Sequence, residues 1–331
     1  MSDTNTVNNE LMHPVLGEDA WSESYYFNFI DPKTKLGMFT RMGFRPHNGW
    51  ADALHVIYLE GKRVAFTYGR RDIGTDLSVY DGDLKVGGLN IICQAAHKQW
   101  QLIFDGPAQD IANASILLER SKLRPAGWFT PAHLRMDLNF DCLTPPHFAA
   151  AGERGHFEQS GRITGTIQLD DQSWQVDGYG VRDKSWGPRD WGASGTGGGS
   201  SAPVTGPAPF INWFSMNFGA EAALGGSCFR HADGVIRGEG WYQSGTEVKD
   251  LKNVVITSEY EADSIIHTAV VLTGELEGGE KIEITGKVHS VCPTKIPMAG
   301  GATFVNEGLA EFTWNGKTGF GIAEHWHAIR S

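Results

Sequence analysis

The sequence has no long apolar run, no cluster of basic residues and no closely spaced cysteine pair. No stretch approaches the ~18 consecutive apolar residues that a membrane-spanning helix requires, so we expect no transmembrane segment. The 28 Lys and Arg residues are outnumbered by 39 Asp and Glu residues, which gives a net charge of −11. An acidic chain of this kind does not favour nucleic acid or an anionic membrane as a partner.

The first residues also lack the features of a signal peptide. The segment 1–20, which begins MSDTNTVNNELMHP, is polar and has neither a basic region nor an apolar region. We therefore expect a polar N-terminal lead-in and a cytoplasmic protein. The four cysteines form no CxxC pair, which favours reduced core thiols over the usual zinc site. They are Cys93, Cys142, Cys228 and Cys292.

Motifs for common cofactors are missing as well. The stretch GGGSSAPVTG lacks the Lys-Ser/Thr of a P-loop, and GTGGGS does not follow a strand and open a helix as a dinucleotide-binding fingerprint must. There is no G-x-S-x-G elbow between a strand and a helix. We therefore expect no cofactor and assign no metal ligand. The expected partner is a hydrophobic small molecule, which a pocket lined by aromatic residues would bind. The oligomeric state is open, with a homodimer among the alternatives.

What the chain does contain is glycine and tryptophan, with 42 and 11 residues respectively. From Trp21 onward, short runs rich in β-branched and aromatic residues alternate with turn residues every 8–12 positions, which is typical of a β-barrel or a β-sandwich. The stretch HLRMDLNFDC is the clearest example, because apolar residues alternate with polar ones from 134 to 140. The sequence therefore predicts an all-β fold.

A short pattern occurs twice and predicts a duplicated domain. Residues 178–183 read GYGVRD and residues 319–324 read GFGIAE, and each copy closes a β-rich half of the chain. Between the halves lies a segment rich in Gly, Ser and Pro that suits a linker or a lid. The predicted divisions are a lead-in at 1–20, an N-terminal domain at 21–191, the linker or lid at 192–209 and a C-terminal domain at 210–331.

The repeated strand places one acid in each half on the same face as aromatic and aliphatic residues. Alternate residues of a strand share a face, so Asp183 lies with Tyr179 and Val181, and Glu324 lies with Phe320, Ile322 and Trp326. We predict that this face is the barrel interior and that Asp183 and Glu324 act there as catalytic acids, since burial raises the pKa of a carboxyl group. The alternatives are a structural ion pair with Arg182, Arg189 or Arg330, or an inward acid near a solvated barrel mouth.

The stretch WGPRDW follows the first copy and combines tryptophan with an Arg-Asp pair. Arg189 can stack on indole rings while it binds a carboxylate, so Arg189 and Asp190, together with Arg182, are predicted to stabilise a structural corner. The tryptophans suit either that corner or the mouth of a pocket for a hydrophobic substrate. The predicted substrate-binding residues are Tyr179, Trp186, Trp191, Trp213 and Trp326.

Two histidines, His325 and His327, follow the second acid at positions i and i+2 of one strand. Imidazoles placed in this way can transfer a proton or donate a hydrogen bond, and we include both among the candidate catalytic residues. They could also bind a metal, but a third ligand is then needed, and His267 and His289 qualify only by residue type. Packing alone is the remaining alternative.

The stretches GYGVRDKSWGPRDW and GFGIAEHWH resemble motifs of the AttH/CrtC-like superfamily, which includes carotenoid 1,2-hydratase (hydroxyneurosporene synthase). The resemblance extends from Trp21 to Arg330. It implies two tandem lipocalin-like antiparallel β-barrels that pack together and enclose a hydrophobic pocket. Members of that family hydrate an isolated double bond, and related fungal proteins promote pericyclic cyclisation of polyenes.

The residues and the resemblance together predict a cofactor-independent lyase, hydratase or isomerase. Its substrate would be an apolar terpenoid, polyene or aryl-alkyl molecule, to which an inward acid donates a proton while aromatic rings stabilise positive charge. A non-catalytic lipocalin-like carrier of a lipophilic ligand is the alternative. A metal enzyme built on His325 and His327 is a third hypothesis.

Overall fold

The structure, a computed structural model, describes residues 9–13, 15, 20–74, 84–150, 152–189, 209–298 and 301–330. Asp190, Trp191 and all of the predicted linker or lid except Pro209 lie outside these residues. Strands β1–β11 form one sheet and strands β12–β19 form another. The all-β class and the lipocalin-like architecture predicted from the sequence are confirmed.

The strands of the first sheet follow one another along the chain between short turns. They are β1 Trp21–Ile30, β2 Gly37–Arg45, β3 Trp50–Tyr58, β4 Val64–Asp72, β5 Lys85–Val86, β6 Leu89–Ala95, β7 Gln99–Ile111, β8 Thr130–Cys142, β9 His147–Ala150, β10 Gly155–Leu169 and β11 Gln172–Pro188. Their order in the sheet is β4-β3-β2-β1-β11-β10-β8-β7-β6-β5, with β9 paired to β10. A further pairing of β4 with β7 joins eight of these strands into a ring.

The second sheet is a closed antiparallel barrel in which each strand pairs with its neighbours in the chain. Its strands are β12 Ile211–Asn217, β13 Ala223–Arg230, β14 Ile236–Ser244, β15 Glu247–Tyr260, β16 His267–Glu275, β17 Lys281–Met298, β18 Gly301–Trp314 and β19 Lys317–Arg330. The pairing of β12 with β19 closes the ring. Side chains such as Phe214, Leu224, Leu251, Leu272 and Phe312 fill its core.

The described chain forms two compact units, and each consists of several segments. The first unit contains residues 1–57, 65–110 and 129–189, and the second contains residues 58–64, 111–128 and 190–331. Short 3₁₀ helices occur at Pro46–Asn48, Ala114–Leu118 and Ser121–Leu123. No helix in the described part of the chain is long and apolar enough to cross a membrane.

The alternation predicted for residues 134–140 is confirmed. Leu134, Met136, Leu138 and Phe140 on β8 are each 2% exposed or less, whereas their neighbours are exposed or half-buried. The predicted period of two therefore fixes which face of β8 packs against the core.

The duplicated pattern occupies the same structural position in both units. The last strand of each unit pairs with its first strand, β11 with β1 and β19 with β12. A Cβ atom on Gly180 would lie 1.7 Å from the carbonyl oxygen of Asn28, and one on Gly321 would lie 1.8 Å from that of Ser215. The glycines of the pattern are therefore needed where first and last strands approach each other closely.

Candidate functional site

The last strand of the second barrel turns its histidines inward. Ala323 belongs to the core cluster, and His325 and His327 share its face and are each 1% exposed. Glu324 and Trp326 lie on the opposite face, where the indole N–H of Trp326 donates to the Glu324 carboxylate. The predicted inward orientation of Glu324 and Trp326 is therefore wrong.

The first unit shows the same reversal. Arg182 and Lys184 on β11 are 0% exposed and lie directly opposite Phe27 and Tyr25 on β1, so they face the interior. Asp183 lies on the other face and is half-buried, which contradicts its predicted inward orientation. Most residues between 178 and 187 are buried on both faces, so apolar character does not identify the inner face.

Two buried acids neutralise the inward cations of the first unit. The guanidinium of Arg182 donates to the carboxylate of Glu10, with Nη1 at 3.0 Å from Oε2 and a further bond from Nη2 to Oε1 at 2.5 Å. The ammonium of Lys184 donates to Glu23, which also accepts from the ring of His13 at 2.9 Å. Burial alone would raise the pKa of Glu10, but the charge of Arg182 and hydrogen bonds from His97 and Arg182 lower it to about 2.

The outward acids also follow the internal repeat. Asp183 lies opposite Glu158, and Glu324 lies opposite Glu307, in each case between the last strand and the strand before it. Burial alone would lower the pKa of His156, but its 2.8 Å hydrogen bond to Glu158 and the charge of Asp183 raise it. The predicted acids therefore belong to acid pairs outside the barrel interiors.

Inside the second barrel, the polar groups cluster around His325. Its Nε2 lies 2.9 Å from the Ser258 hydroxyl oxygen, and its ring centroid lies 3.7 Å from that of His267. The Nε2–H of His267 donates to the carbonyl oxygen of Ala323 at 2.8 Å, so its Nδ1 carries a lone pair. The rings of His327 and His325 each lie 6.0 Å from that of Tyr260.

Two asparagines flank His325 on the neighbouring strands and face the same interior. Asn212 on β12 and Asn306 on β18 both lie directly opposite His325. Among the described residues, both side-chain polar atoms of Asn212, Oδ1 of Asn306 and Nδ1 of His325 have no hydrogen-bond partner. Buried polar atoms are nearly always satisfied, so this cluster has unused capacity to bind a ligand or water.

Burial keeps the imidazoles of this cluster neutral. It lowers the pKa of His325 well below its ordinary value of 6.5, and the neighbouring His267 and His327 lower it further. Burial also lowers the pKa of His267 to about 3, although its bond to the Ala323 carbonyl opposes the shift. At neutral pH the cluster therefore offers imidazole lone pairs and N–H donors without net charge.

A narrow cavity reaches this cluster. Its wall combines Asn212 and His325 with apolar side chains, among them Phe214, Met216, Ile256 and Leu272. The free volume of the cavity is about 10 Å³, which is the room that roughly one water needs. Trp213 and Glu324 also border it, although the Glu324 carboxylate is on the far face of β19.

No group of three or more His, Cys, Asp or Glu side chains within the described ranges is arranged to hold a metal ion. His289, which qualified only by residue type, is not in the cluster and lies 3.8 Å from Glu311 at the surface. The four cysteines are free thiols; Cys228 and Cys292 are buried, whereas Cys93 is exposed and so is not the core thiol that was expected.

The other predicted residues are dispersed. Trp186 is 3% exposed and stacks on the His13 ring at 4.0 Å, in a cluster with Trp21 and Phe157. Arg189 donates to the Ser185 hydroxyl at 3.0 Å. Tyr179 is half-buried on the outward face of β11. Trp191 and Asp190 lie outside the described residues, so the predicted stacking of Arg189 between indoles stays a prediction.

Sequence reasoning missed three members of the cluster, namely Asn212, Asn306 and Ser258, and it named His267 only as a possible third metal ligand. Asn212 follows Phe210 and Ile211 in the stretch FINWF, where an asparagine among apolar residues of a strand is unusual. That isolated amide is the signal that could have identified it, since a buried polar group needs a partner.

Comparison with protein families gives one match across nearly the whole chain. Residues 6–329 match the family described as "Domain of unknown function (DUF7064)". The chain belongs to the DUF7064 family. No curated protein matches this DUF7064 member significantly.

Solved structures share the fold of this DUF7064 protein at low sequence identity. A putative AttH from Nitrosomonas europaea is 13% identical with a TM-score of 0.60, over 96% of this chain and 95% of that one. Kievitone hydratase from Nectria haematococca is 10% identical with a TM-score of 0.52, over 100% and 96%. CghA is 12% identical with a TM-score of 0.50, over 95% and 89%. The AttH-like fold expected from the sequence motifs is thus confirmed.

Proposed function

We propose that this DUF7064 protein is a cofactor-independent hydratase or lyase that adds water to, or removes water from, an apolar small molecule inside the second barrel. The observation that carries the proposal is the neutral, hydrogen-bond-deficient cluster of His325 and Asn212 beside an apolar cavity. The name of kievitone hydratase, a protein of the same fold, agrees with this reaction class.

The cluster supplies the two functions that hydration requires. Asn212 offers an amide donor and an acceptor that can hold the oxygen of a water molecule. Nδ1 of His325 takes a proton from that water as its oxygen bonds to one carbon of a double bond, and it returns the proton to the adjacent carbon. The enzyme ends unchanged, and the same steps in the reverse order eliminate water.

The surroundings favour an apolar substrate. Phe214, Met216, Ile256 and Leu272 border the cavity. Because it has room for roughly one water, an alkene-bearing chain enters only if these side chains move apart, and it then buries apolar area among them. In the tautomer that the reaction needs, the Nε2–H of His325 donates to the Ser258 hydroxyl oxygen at 2.9 Å, so the ring is held in place and Nδ1 keeps the lone pair. His325 is therefore the proposed catalytic base and acid, and Ser258 is a positioning residue.

The experiment follows oxygen from heavy-oxygen water into product. The first probe is kievitone, followed by a panel of isoprenyl phenols and linear polyenes, with product analysed by mass spectrometry. We expect labelled product from the wild type, a loss of about 10²–10⁴-fold in kcat for His325→Gln, and no change for His289→Gln, which alters an exposed histidine of the same unit. Equal turnover by both variants would refute the assignment of His325.

A carrier of a lipophilic ligand is the second candidate. It is favoured by the outward position of Asp183 and Glu324, which leaves no carboxylic acid in the described interior beside His325. Native mass spectrometry of gently purified protein separates the candidates. A ligand retained and released unchanged, with no labelled product from any probe, supports the carrier and contradicts the enzyme.

A further inference from the structure

The interior of the first barrel contains a cation that is built for binding an anion. The guanidinium of Arg182 lies 5.0 Å from the ring centroids of both Trp100 and Phe157, and it is 0% exposed. Its Nε donates to Gln159 at 2.9 Å, which orients the fork so that both terminal nitrogens meet one carboxylate, although Nη2 also lies 3.4 Å from Nδ1 of His97. Lys184 adds a second buried cation two residues along the same face.

The carboxylate that binds Arg182 comes from outside the sheet. Glu10 belongs to residues 9–13, here named the plug segment, which forms no strand. The carboxylate of Glu10 accepts from Arg182 and from the His97 backbone N–H at 2.7 Å, and its carbonyl accepts from the Tyr25 hydroxyl at 2.9 Å. The plug segment therefore presents an acid to the barrel as a ligand would.

Further along the interior, polar atoms have no partner at all. Within the part of the chain that the structure describes, both ring nitrogens of His55 and the indole N–H of Trp100 are buried without a hydrogen-bond partner. The His55 ring centroid lies 4.1 Å from that of Phe104, which shares a face of β7 with Trp100. Trp100 and Phe104 are four positions apart on the strand, or about 13 Å, so these groups are spread along the length of the interior.

We propose that the interior of the first barrel is a second ligand site, which takes an apolar carboxylic acid whose carboxylate replaces Glu10 on Arg182. The apolar chain of the ligand runs along Trp100 and Phe104, and a terminal hydroxyl satisfies His55. The plug segment competes for the same place, so the affinity observed in the intact chain is lowered by the fraction of molecules in which Glu10 is bound. This site is separate from the reaction proposed for the second barrel.

The test measures binding of dodecanoate, omega-hydroxydodecanoate and dodecanol to the full-length protein by calorimetry. Glu10→Gln keeps the shape of the plug segment but removes its charge, and we expect it to bind dodecanoate at least about tenfold more tightly than the wild type. Binding of dodecanol is expected to change little. Glu60→Gln, at an exposed acid, is the matched control and is expected to behave as the wild type.

Two further variants keep the result interpretable. The double variant Glu10→Leu with Arg182→Met removes both charges together, which a folded core tolerates better than one, and it is expected to lose the preference for dodecanoate over dodecanol. Asn212→Leu alters only the second barrel and is expected to bind dodecanoate as the wild type does. The proposal is overturned if no protein binds dodecanoate, if Glu10→Gln and wild type bind it equally, or if Asn212→Leu abolishes binding.

Discussion

His325 on β19 and Asn212 on β12 lie directly opposite each other, and both side chains face the inside of the second barrel. Lys184 and Tyr25 occupy the corresponding positions in the first unit. There the buried cation is neutralised by Glu23, whereas the imidazole and amide of the second barrel keep unused hydrogen-bonding atoms. At this position the internal repeat thus carries a neutralised cation in the first unit and an imidazole with unused hydrogen-bonding atoms beside it in the second.

Glu324→Gln and Asp183→Asn are expected to retain the activity that His325→Gln loses. Both carboxylates lie on the outward faces of their strands, so neither can reach a substrate beside Asn212. Turnover of labelled water into product checks this with one substrate for all three variants. If turnover fell about 10²-fold in Glu324→Gln but was unchanged in His325→Gln, the catalytic role would belong to Glu324 instead of His325.

Acid is expected to destabilise the protein well before its carboxylates titrate. The pKa of His55 and of His267 is lowered by burial to about 3, whereas these groups bind protons near 6.5 when unfolded. The unfolded chain therefore binds more protons, and the free energy of unfolding falls as pH drops from 6.5 towards 3, by about 1.4 kcal/mol per pH unit for each such histidine. Urea denaturation between pH 7 and 5 measures the slope.

His55→Phe is expected to weaken the pH dependence of the free energy of unfolding by the contribution of one histidine. Phenylalanine fits beside Phe104, with which His55 makes an edge contact, and cannot take up a proton. The exposed His47→Gln is the control, and it should leave the slope unchanged. The pKa of Glu10 is lowered from 4.5 to about 2, so its contribution to stability is lost only below pH 4.5. It therefore does not affect a comparison made between pH 7 and 5.

Lys184→Met is expected to destabilise the first unit by about 3–5 kcal/mol, because it leaves Glu23 charged and buried. His13 remains as a second partner of Glu23, which favours the lower end of that range. Arg162→Met breaks the exposed pair with Asp177 and is expected to have little effect. Chemical denaturation compares the two, and equal losses would contradict a buried ion pair at Lys184.

Gly321→Ala is expected to destabilise the second barrel by about 3 kcal/mol or more, since its Cβ would lie 1.8 Å from the Ser215 carbonyl oxygen and would force β12 and β19 apart. Gly61→Ala is the control. Its φ of 67° costs about 1–2 kcal/mol, but no atom lies within 4 Å of the added Cβ. Thermal unfolding of both variants provides the comparison.

The sequence was sufficient for the fold class and for the repeat, because both depend on local periodicity and on glycines that meet a neighbouring strand. The alternation from Leu134 to Phe140 and the equivalence of Gly180 with Gly321 are of this kind. It also singled out His325 and His327, which the structure places together inside the barrel.

The orientation of the repeated strand could not be predicted in the same way. A period of two says which residues share a face, but when both faces are buried it does not say which one is inside. The cations on β11 face inward because Glu10 and Glu23 neutralise them, and Glu10 is separated from Arg182 by 172 positions. Asn212 and Asn306 likewise meet His325 only through strand pairing.

The second unit is assembled from three separate lengths of chain, and this limits how the protein can be divided. Tyr58 donates to the carbonyl of Glu307 at 2.6 Å, and Lys62 pairs with Glu261 at 2.7 Å. A fragment that starts at residue 210 lacks these partners and the segment 111–128. A single cut in the chain therefore cannot release the second unit complete, and a fragment for expression must supply all three of its segments.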